Sequence, residues 1–481
     1  MSKPPTVDPN AEPATGGGGA AAAGAGGGGA GDPGVVPGPK ATDAHASAPG
    51  WLRQLRQVGP AVIVASVVLG PGSILTNSKV GWQYGYSAVW VLVLACGLML
   101  AMTGIAMRVG VALEHSPCEE LARRVSRTFA AVVGSCLFLV AASFQFSNNL
   151  GVLFAIEPLF DGGDASQAGN YWTIAVLIAL NAVVIASLLV ARNLYTAVER
   201  AMKLMVGLML LAFAANLVMA RPSLSATLGG LLPNISQLLS TSAPSPATSD
   251  NVLAMLALVA TTFSVGAAFY QAYLVKQRNW RSEQLATGTV DAIVGISTLG
   301  LMSLMIMVTA AAAFYQNPDI TQLNSAADVA KQLRPLFGPA ATWLFCLGIM
   351  AGALSSFLVN AMIGGCVLSD GFGYGSNINE RAPRIATIAS LVIGMAIAIA
   401  VKAVSFNTAS LIVFAQSLTI LGNPLLAGSI LWLAMRPEVR QRRLVPNWLL
   451  ALGIVGFGLV CVLSLRTVWT VLLPALASLW Q

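Results

Sequence analysis

The chain has 481 residues, 56% hydrophobic and 9% charged, against roughly 25% charged residues in a soluble globular chain. With a mean hydropathy of +0.74, lipid is the expected solvent for most of it. The net charge is +7, but the Lys and Arg residues sit in short loops, which speaks for membrane orientation and against a nucleic-acid partner.

Residues 1–50 hold two glycine runs, an alanine run and Pro33, Pro37 and Pro39. Such a stretch buries too little apolar surface to fold, and it lacks the basic and apolar regions of a signal peptide, so it reads as a disordered cytoplasmic tail. The remainder, 51–481, reads as one membrane domain. About eleven runs are long enough to span, since roughly 20 apolar residues cross a bilayer: 58–80, 88–108, 129–157, 171–190, 197–219, 252–275, 291–314, 340–368, 385–404, 410–435 and 448–473.

The first span is interrupted at Gly70-Pro71-Gly72, followed by Ser73. Proline has no N–H and clashes with the preceding turn, and glycine lowers helix propensity. Backbone groups freed in hydrocarbon need other partners, so this is either a proline kink or a place where the backbone faces a cavity. Lys79, near the outer end of that span, is expected to snorkel to the interface. The sixth span has its own weak point at Ser264-Val265-Gly266. Paired interruptions in corresponding spans point to a solute site between inverted repeats, 58–219 and 252–435, with 448–473 as an extra helix.

With the N-terminus cytoplasmic, only Arg221, Lys331, Arg334, Lys402 and Arg466 of the interspan Lys and Arg fall outside. That positive-inside bias puts the C-terminus outside. Trp51, Trp82, Trp172, Trp343, Trp448 and Trp480 fall near span ends, as interface anchors do. Six cysteines form no CxxC pair and suggest no disulfide framework. His45 and His115 lie outside the spans, which excludes an intramembrane histidine site. Glu157 and Asp291 are expected at span boundaries, leaving the membrane core without titratable groups. No P-loop, nucleophile–base pair or metal cluster is present, so neither an enzyme nor a cofactor is expected.

Several stretches together resemble the Nramp family of divalent-metal transporters. They are Gly59-Pro60-Ala61 and Gln83-Tyr84-Gly85-Tyr86 around the first span, and Leu336-Phe337-Gly338-Pro339 before the eighth. Leu347-Gly348 through Gly352-Ala353-Leu354-Ser355-Ser356 and Asp370-Gly371-Phe372 follow, with Gln416 and Pro424 in the tenth span. The resemblance runs from about Gly59 to Pro437. It implies an all-α membrane protein of the LeuT-like fold: a 5+5 inverted repeat of about 11 helices, with helices 1 and 6 broken.

It also exposes departures. Where the family carries Asp-Pro-Gly-Asn in the first span, this chain has Gly70, Pro71, Gly72 and Ser73. Where the family carries Met-Pro-His in the sixth, it has Ser264, Val265 and Gly266. Gln145 and Asn148 stand where the third span carries acidic residues, and Gln416 is retained. A carboxylate touching a dication supplies gross attraction on the order of 15 kcal/mol at an effective dielectric of about 20. Gly70 removes that term, and losing the thioether weakens selection of Mn²⁺ or Fe²⁺ over Ca²⁺.

The expected substrate site is therefore polar and uncharged. It comprises Gly70, Gly72, Ser73, Asn77, Ser264, Gly266, Tyr270, Gln416 and Asn423, with Gln145, Asn148, Asn149 and Asn360 as a polar pathway. Interhelical hydrogen bonding is the alternative role for each amide. The expected function is a secondary transporter whose partners are the bilayer and a small neutral, zwitterionic or organic solute. One alternative is a divalent-metal transporter using carbonyl and amide oxygens; the other is a non-transporting membrane sensor.

Overall fold

The computed structural model describes residues 70–160, 167–190, 217–233, 248–317, 340–402 and 408–473, with single positions between 207 and 215 and Leu323. The expected tail, the first half of the first span (58–69) and most of the fifth span lie outside the described residues. Among the described residues every regular element is helical. In chain order these are α1 (Pro71–Tyr84), α2 (Val89–Ala112), α3 (Pro117–Arg124), α4 (Arg127–Phe160) and α5 (Gln167–Val190). Then come α6 (Leu224–Gly229), α7 (Thr248–Thr262), α8 (Val265–Gln277), α9 (Leu285–Phe314) and α10 (Ala340–Gly371). The chain continues through α11 (Arg381–Lys402), α12 (Thr408–Leu418), α13 (Asn423–Ala434), α14 (Pro437–Gln441) and α15 (Asn447–Thr467).

Eight stretches among the described residues are long and apolar enough to cross a membrane. The first, Pro71–Ala112, holds parts of two expected spans joined through a 3₁₀ turn at Gly85–Ala88. Gly85 makes that joint: its φ of +56° suits glycine, and the Tyr315 ring lies where a Cβ would stand.

The breaks fall where proline and small residues allow. Gly70 is extended, and α1 starts on Pro71 at its first turn, where the missing N–H is not needed and φ is already helical. In the sixth span α7 ends at Thr262, and α8 restarts after Phe263 with Ser264 as its N-cap residue. A third interruption, Thr419–Gly422, separates α12 from α13.

The packing repeats across the two halves. α1, second half of the first span, lies along α9, the seventh; α8, second half of the sixth, lies along α2, the second. α4 and α10, third and eighth spans, form the most extensive helix pair, with α11 against both. α15 exposes Trp448, Ile454, Val455, Val462 and Leu465, apolar groups that need lipid around them.

Two readings of single residues are corrected. Lys79 does not snorkel: it is only 7% exposed, because its face of α1 is enclosed by the neighbouring helices. Asp291 is not a boundary residue either; it sits inside α9 and is 1% exposed. The core thus holds ionisable groups that the apolar pattern conceals.

Candidate functional site

The start of α1 meets α4, α10 and α12 in one polar group. At Gly70 a Cβ would stand 2.9 Å from Asn148 Oδ1 and 3.1 Å from Ser356 Oγ. Asn148 Nδ2 donates to Ser356 Oγ at 3.2 Å, and Asn360 Nδ2 donates to the same oxygen at 2.7 Å. This fixes the Asn148 amide, whose Oδ1 is buried without a hydrogen-bond partner beside Gly70. Two residues along, Gly72 makes room for Gln416: a Cβ there would lie 2.1–2.5 Å from three Gln416 atoms. Gln416 Nε2 donates to Ser147 Oγ at 2.7 Å, and Gln416 Oε1 has no partner. Below both, the Pro71 ring packs into the space that Gly151 leaves without a Cβ.

Ser73 and Asn77 continue the polar face of α1. The Gly70 carbonyl accepts from Ser73 N, Ile74 N and Ser73 Oγ, so that break carbonyl is already engaged. Asn77 Nδ2 donates to Ser73 O at 2.7 Å, while Asn77 Oδ1 is buried and unpartnered. Buried amide oxygens normally find a donor. Asn148 Oδ1 and Gln416 Oε1 beside Gly70 and Gly72, and Asn77 Oδ1 further along α1, are each able to accept a hydrogen bond or meet a cation.

The pathway amides divide into two sets. Asn148 and Asn360 belong to the group at Gly70. Gln145 and Asn149, four residues apart on α4 and so on one face, turn elsewhere. Gln145 Nε2 donates to Phe357 O at 2.5 Å, Asn149 Nδ2 donates to Gln145 O, and Asn149 Oδ1 accepts from Asn181 Nδ2 at 2.7 Å. The first and last of these tie α4 to α10 and α5, and the middle one lies within α4.

The sixth-span candidates and Asn423 of the tenth have no hydrogen bond to the Gly70 group among the described residues. Ser264 and Asn423 are buried at their breaks. A Cβ at Gly266 would meet Leu137 Cδ1 at 2.6 Å, so this glycine accommodates apolar packing. Tyr270 is 1% exposed and stacks on Tyr273 with ring centroids 5.8 Å apart. Among the described residues no group of three His, Cys, Asp or Glu could hold a metal ion.

The sequence passed over Ser147, Ser356 and Asn181. Ser356 closes the quoted Ser355-Ser356 pair without a role there. Its function appears only when α4 is brought beside α10.

Broken helices in corresponding places, packed by the same relation in each half, and a polar group buried at one break define a secondary transporter of LeuT-like fold. Comparison with known proteins gives the family. Residues 61–470 match "Natural resistance-associated macrophage protein-like", and the chain belongs to the Nramp family. It is 24% identical over 425 residues to "Divalent metal cation transporter MntH" of Deinococcus radiodurans, covering 85% of this chain and 90% of that one. It is 26% identical over 323 residues to the protein of the same description from Pectobacterium carotovorum, covering 66% and 72%. Among solved structures it is similar to the Eremococcus coleocola manganese transporter crystallised with an aromatic bis-isothiourea substituted compound. The TM-score is 0.74 at 16% identity, with 87% of each chain covered. MhsT in complex with L-phenylalanine gives a TM-score of 0.52 at 16% identity, covering 84% of this chain and 98% of that one.

Proposed function

We propose that this Nramp-family transporter carries a divalent cation, held through amide oxygens and retained water at the start of α1. The observation carrying this reading is the pair of buried, unpartnered oxygens Asn148 Oδ1 and Gln416 Oε1, beside Gly70 and Gly72. Hard cations prefer oxygen ligands, and Mg²⁺ commonly keeps several waters. The relatives' shared description as divalent metal cation transporters supports the same reading. Asn148, Asn77 and Gln416 are the proposed ligating side chains. Ser73, Ser147, Ser356 and Asn360 shape their surroundings, and Gly70 and Gly72 leave the room they occupy. No thioether stands at Ser264, so selection among Mn²⁺, Mg²⁺ and Ca²⁺ is weak. In the same reading residues 1–50 form a cytoplasmic tail, 51–481 the transporter domain, and the C-terminus lies outside.

A second reading, a zwitterionic or neutral organic solute, is favoured by one observation. Among the described residues the lining of the α1 start holds no carboxylate, and Lys79 is buried on the same helix. The N-termini of α1 and α8 add positive ends that suit a carboxylate group.

One assay separates the two. Purified protein in liposomes with an internal metal fluorophore is presented with Mn²⁺, Mg²⁺ and Ca²⁺. Saturable uptake, reduced at least about tenfold in Asn148→Ala and Gln416→Ala, is expected, because removing one ligand costs upward of about 1.4 kcal/mol. Absence of flux for all three ions, together with thermal stabilisation by an amino acid, decides for the second reading.

A further inference from the structure

Far from the α1 start, the end of α10 carries a carboxylate that the site above does not use. Asp370 is 3% exposed. Its Oδ1 accepts from Ser116 Oγ at 2.7 Å and its Oδ2 from Tyr273 Oη at 2.7 Å. Tyr273 Oη in turn accepts from Cys118 N at 3.2 Å. Three separate elements therefore meet on one side chain: α10 supplies the carboxylate, α8 the tyrosine, and the N-cap and first turn of α3 the serine and the amide.

We propose that Asp370 is a proton-binding site and that its proton closes a latch between α8 and α10.

The argument rests on the partners. Among the described residues all the side-chain donors to this carboxylate are hydroxyls, and none of its neighbours forms an ion pair with it. A hydroxyl donates to an ionised carboxylate and accepts from a protonated one, so the enclosure keeps its hydrogen bonds in either state. The charge is what the enclosure does not balance. A buried ionised carboxylate without a cation is costly, and the group takes up a proton or moves to water. The closed latch therefore holds the proton, and losing it favours separation of α8 from α10.

The charged and titratable groups facing Asp370 are already committed. From α3, Cys118 is fully buried, and burial pushes its thiol well above the ordinary range. Glu119 is bound by Arg127 at 2.5 Å and by Arg123 at 3.1 Å. The Arg127 bond, chiefly, holds the Glu119 carboxyl below its usual value. From α4, Arg127 reaches the backbone oxygen of Asp370 at 3.1 Å and spends its other arm on Glu119. From α8, Tyr273 binds Asp370, and Lys276 donates to Leu113 O. Neither α1 nor α11, which also pack on α10, brings a group into hydrogen-bond or ion-pair reach of Asp370.

α3 itself is anchored on its other side. Arg124 joins Glu120 at 2.7 Å and Glu438 of α14 at 2.8 Å. Opening at Asp370 thus moves α8 against a fixed clamp. A helix restarting at the sixth-span break, whose far end is gripped by a protonatable group, links solute access to proton occupancy without any acid at the α1 start.

The test needs no knowledge of the cargo, so it stands or falls independently of the function proposed above. Hydrogen–deuterium exchange is followed on the purified full chain in nanodiscs at pH 5 and pH 8, corrected for intrinsic rates. Peptides covering 113–124 and 265–281 should exchange about fivefold or more slowly at the lower pH, as a locally opening unit does when its closed form binds the proton. Asp370→Asn, which mimics the neutral acid, should be protected at both pH values. Tyr273→Phe should exchange faster than the parent at both, while still eluting as a folded protein. A pH step that persists in Asp370→Asn, no pH step in the parent, or parent-like exchange in Tyr273→Phe would each overturn the proposal.

Discussion

The two repeats break their first helix at the same place but furnish the breaks differently. At α1 the missing side chains of Gly70 and Gly72 are replaced in space by Asn148, Ser356 and Gln416, delivered from three other helices. At α8 the small residue Gly266 is filled by Leu137, and Ser264 engages none of the α1-side amides. The same backbone device, a helix restarting in mid-span, thus meets amides in one half and an aliphatic side chain in the other.

This contrast can be attacked at both breaks. The largest effect is expected from Gly72→Val. Its Cβ overlaps the Gln416 side chain, with Nε2 only 2.1 Å away, so Gln416 must leave its bond to Ser147. Overpacking of this kind costs about 1–3 kcal/mol, read as a lowered thermal midpoint, and the α1 site should lose its cargo.

Gly70→Asp is the next largest. The new Cβ stands against Asn148 Oδ1 and Ser356 Oγ, so the carboxylate joins a cluster of oxygens that a dication relieves. Mn²⁺ affinity by calorimetry should rise about tenfold or more, a small part of the gross carboxylate attraction. An unchanged affinity would mean that α1 does not line the site.

The smallest change is expected at the other break. Gly266→Ala meets only the flexible end of Leu137, so stability should fall by less than about 1 kcal/mol, with uptake near that of the parent. A loss of uptake matching that of Asn148→Ala would erase the distinction between the two breaks.

The breaks themselves were legible because proline and glycine act locally: Pro71 sets the first turn of α1 whatever surrounds it. The identity of the polar lining was half legible. Asn148, Asn360 and Gln416 stand out as amides in apolar runs, but Ser147 and Ser356 are ordinary helix residues until another helix presents them with an amide. Gly266 shows the opposite case: a glycine next to a break invites a functional reading from sequence, and only the position of Leu137 reveals its packing role. Lys79 and Asp291 were misplaced because whether a charged residue reaches the interface depends on helix rotation and tilt, which neighbouring helices set.

Gly85 carries a mechanical consequence. α1 and α2 together form a stretch of apolar helix interrupted by one left-handed residue, with the Tyr315 ring resting on its backbone. A rigid rod pivots about its softest point, and here that point is an elbow two turns beyond Lys79. Swinging α1 about this elbow moves the amide-facing end of the helix through the widest arc, while α2 stays seated on α8. The Tyr315 ring packed at the elbow is the first group that such a swing would meet.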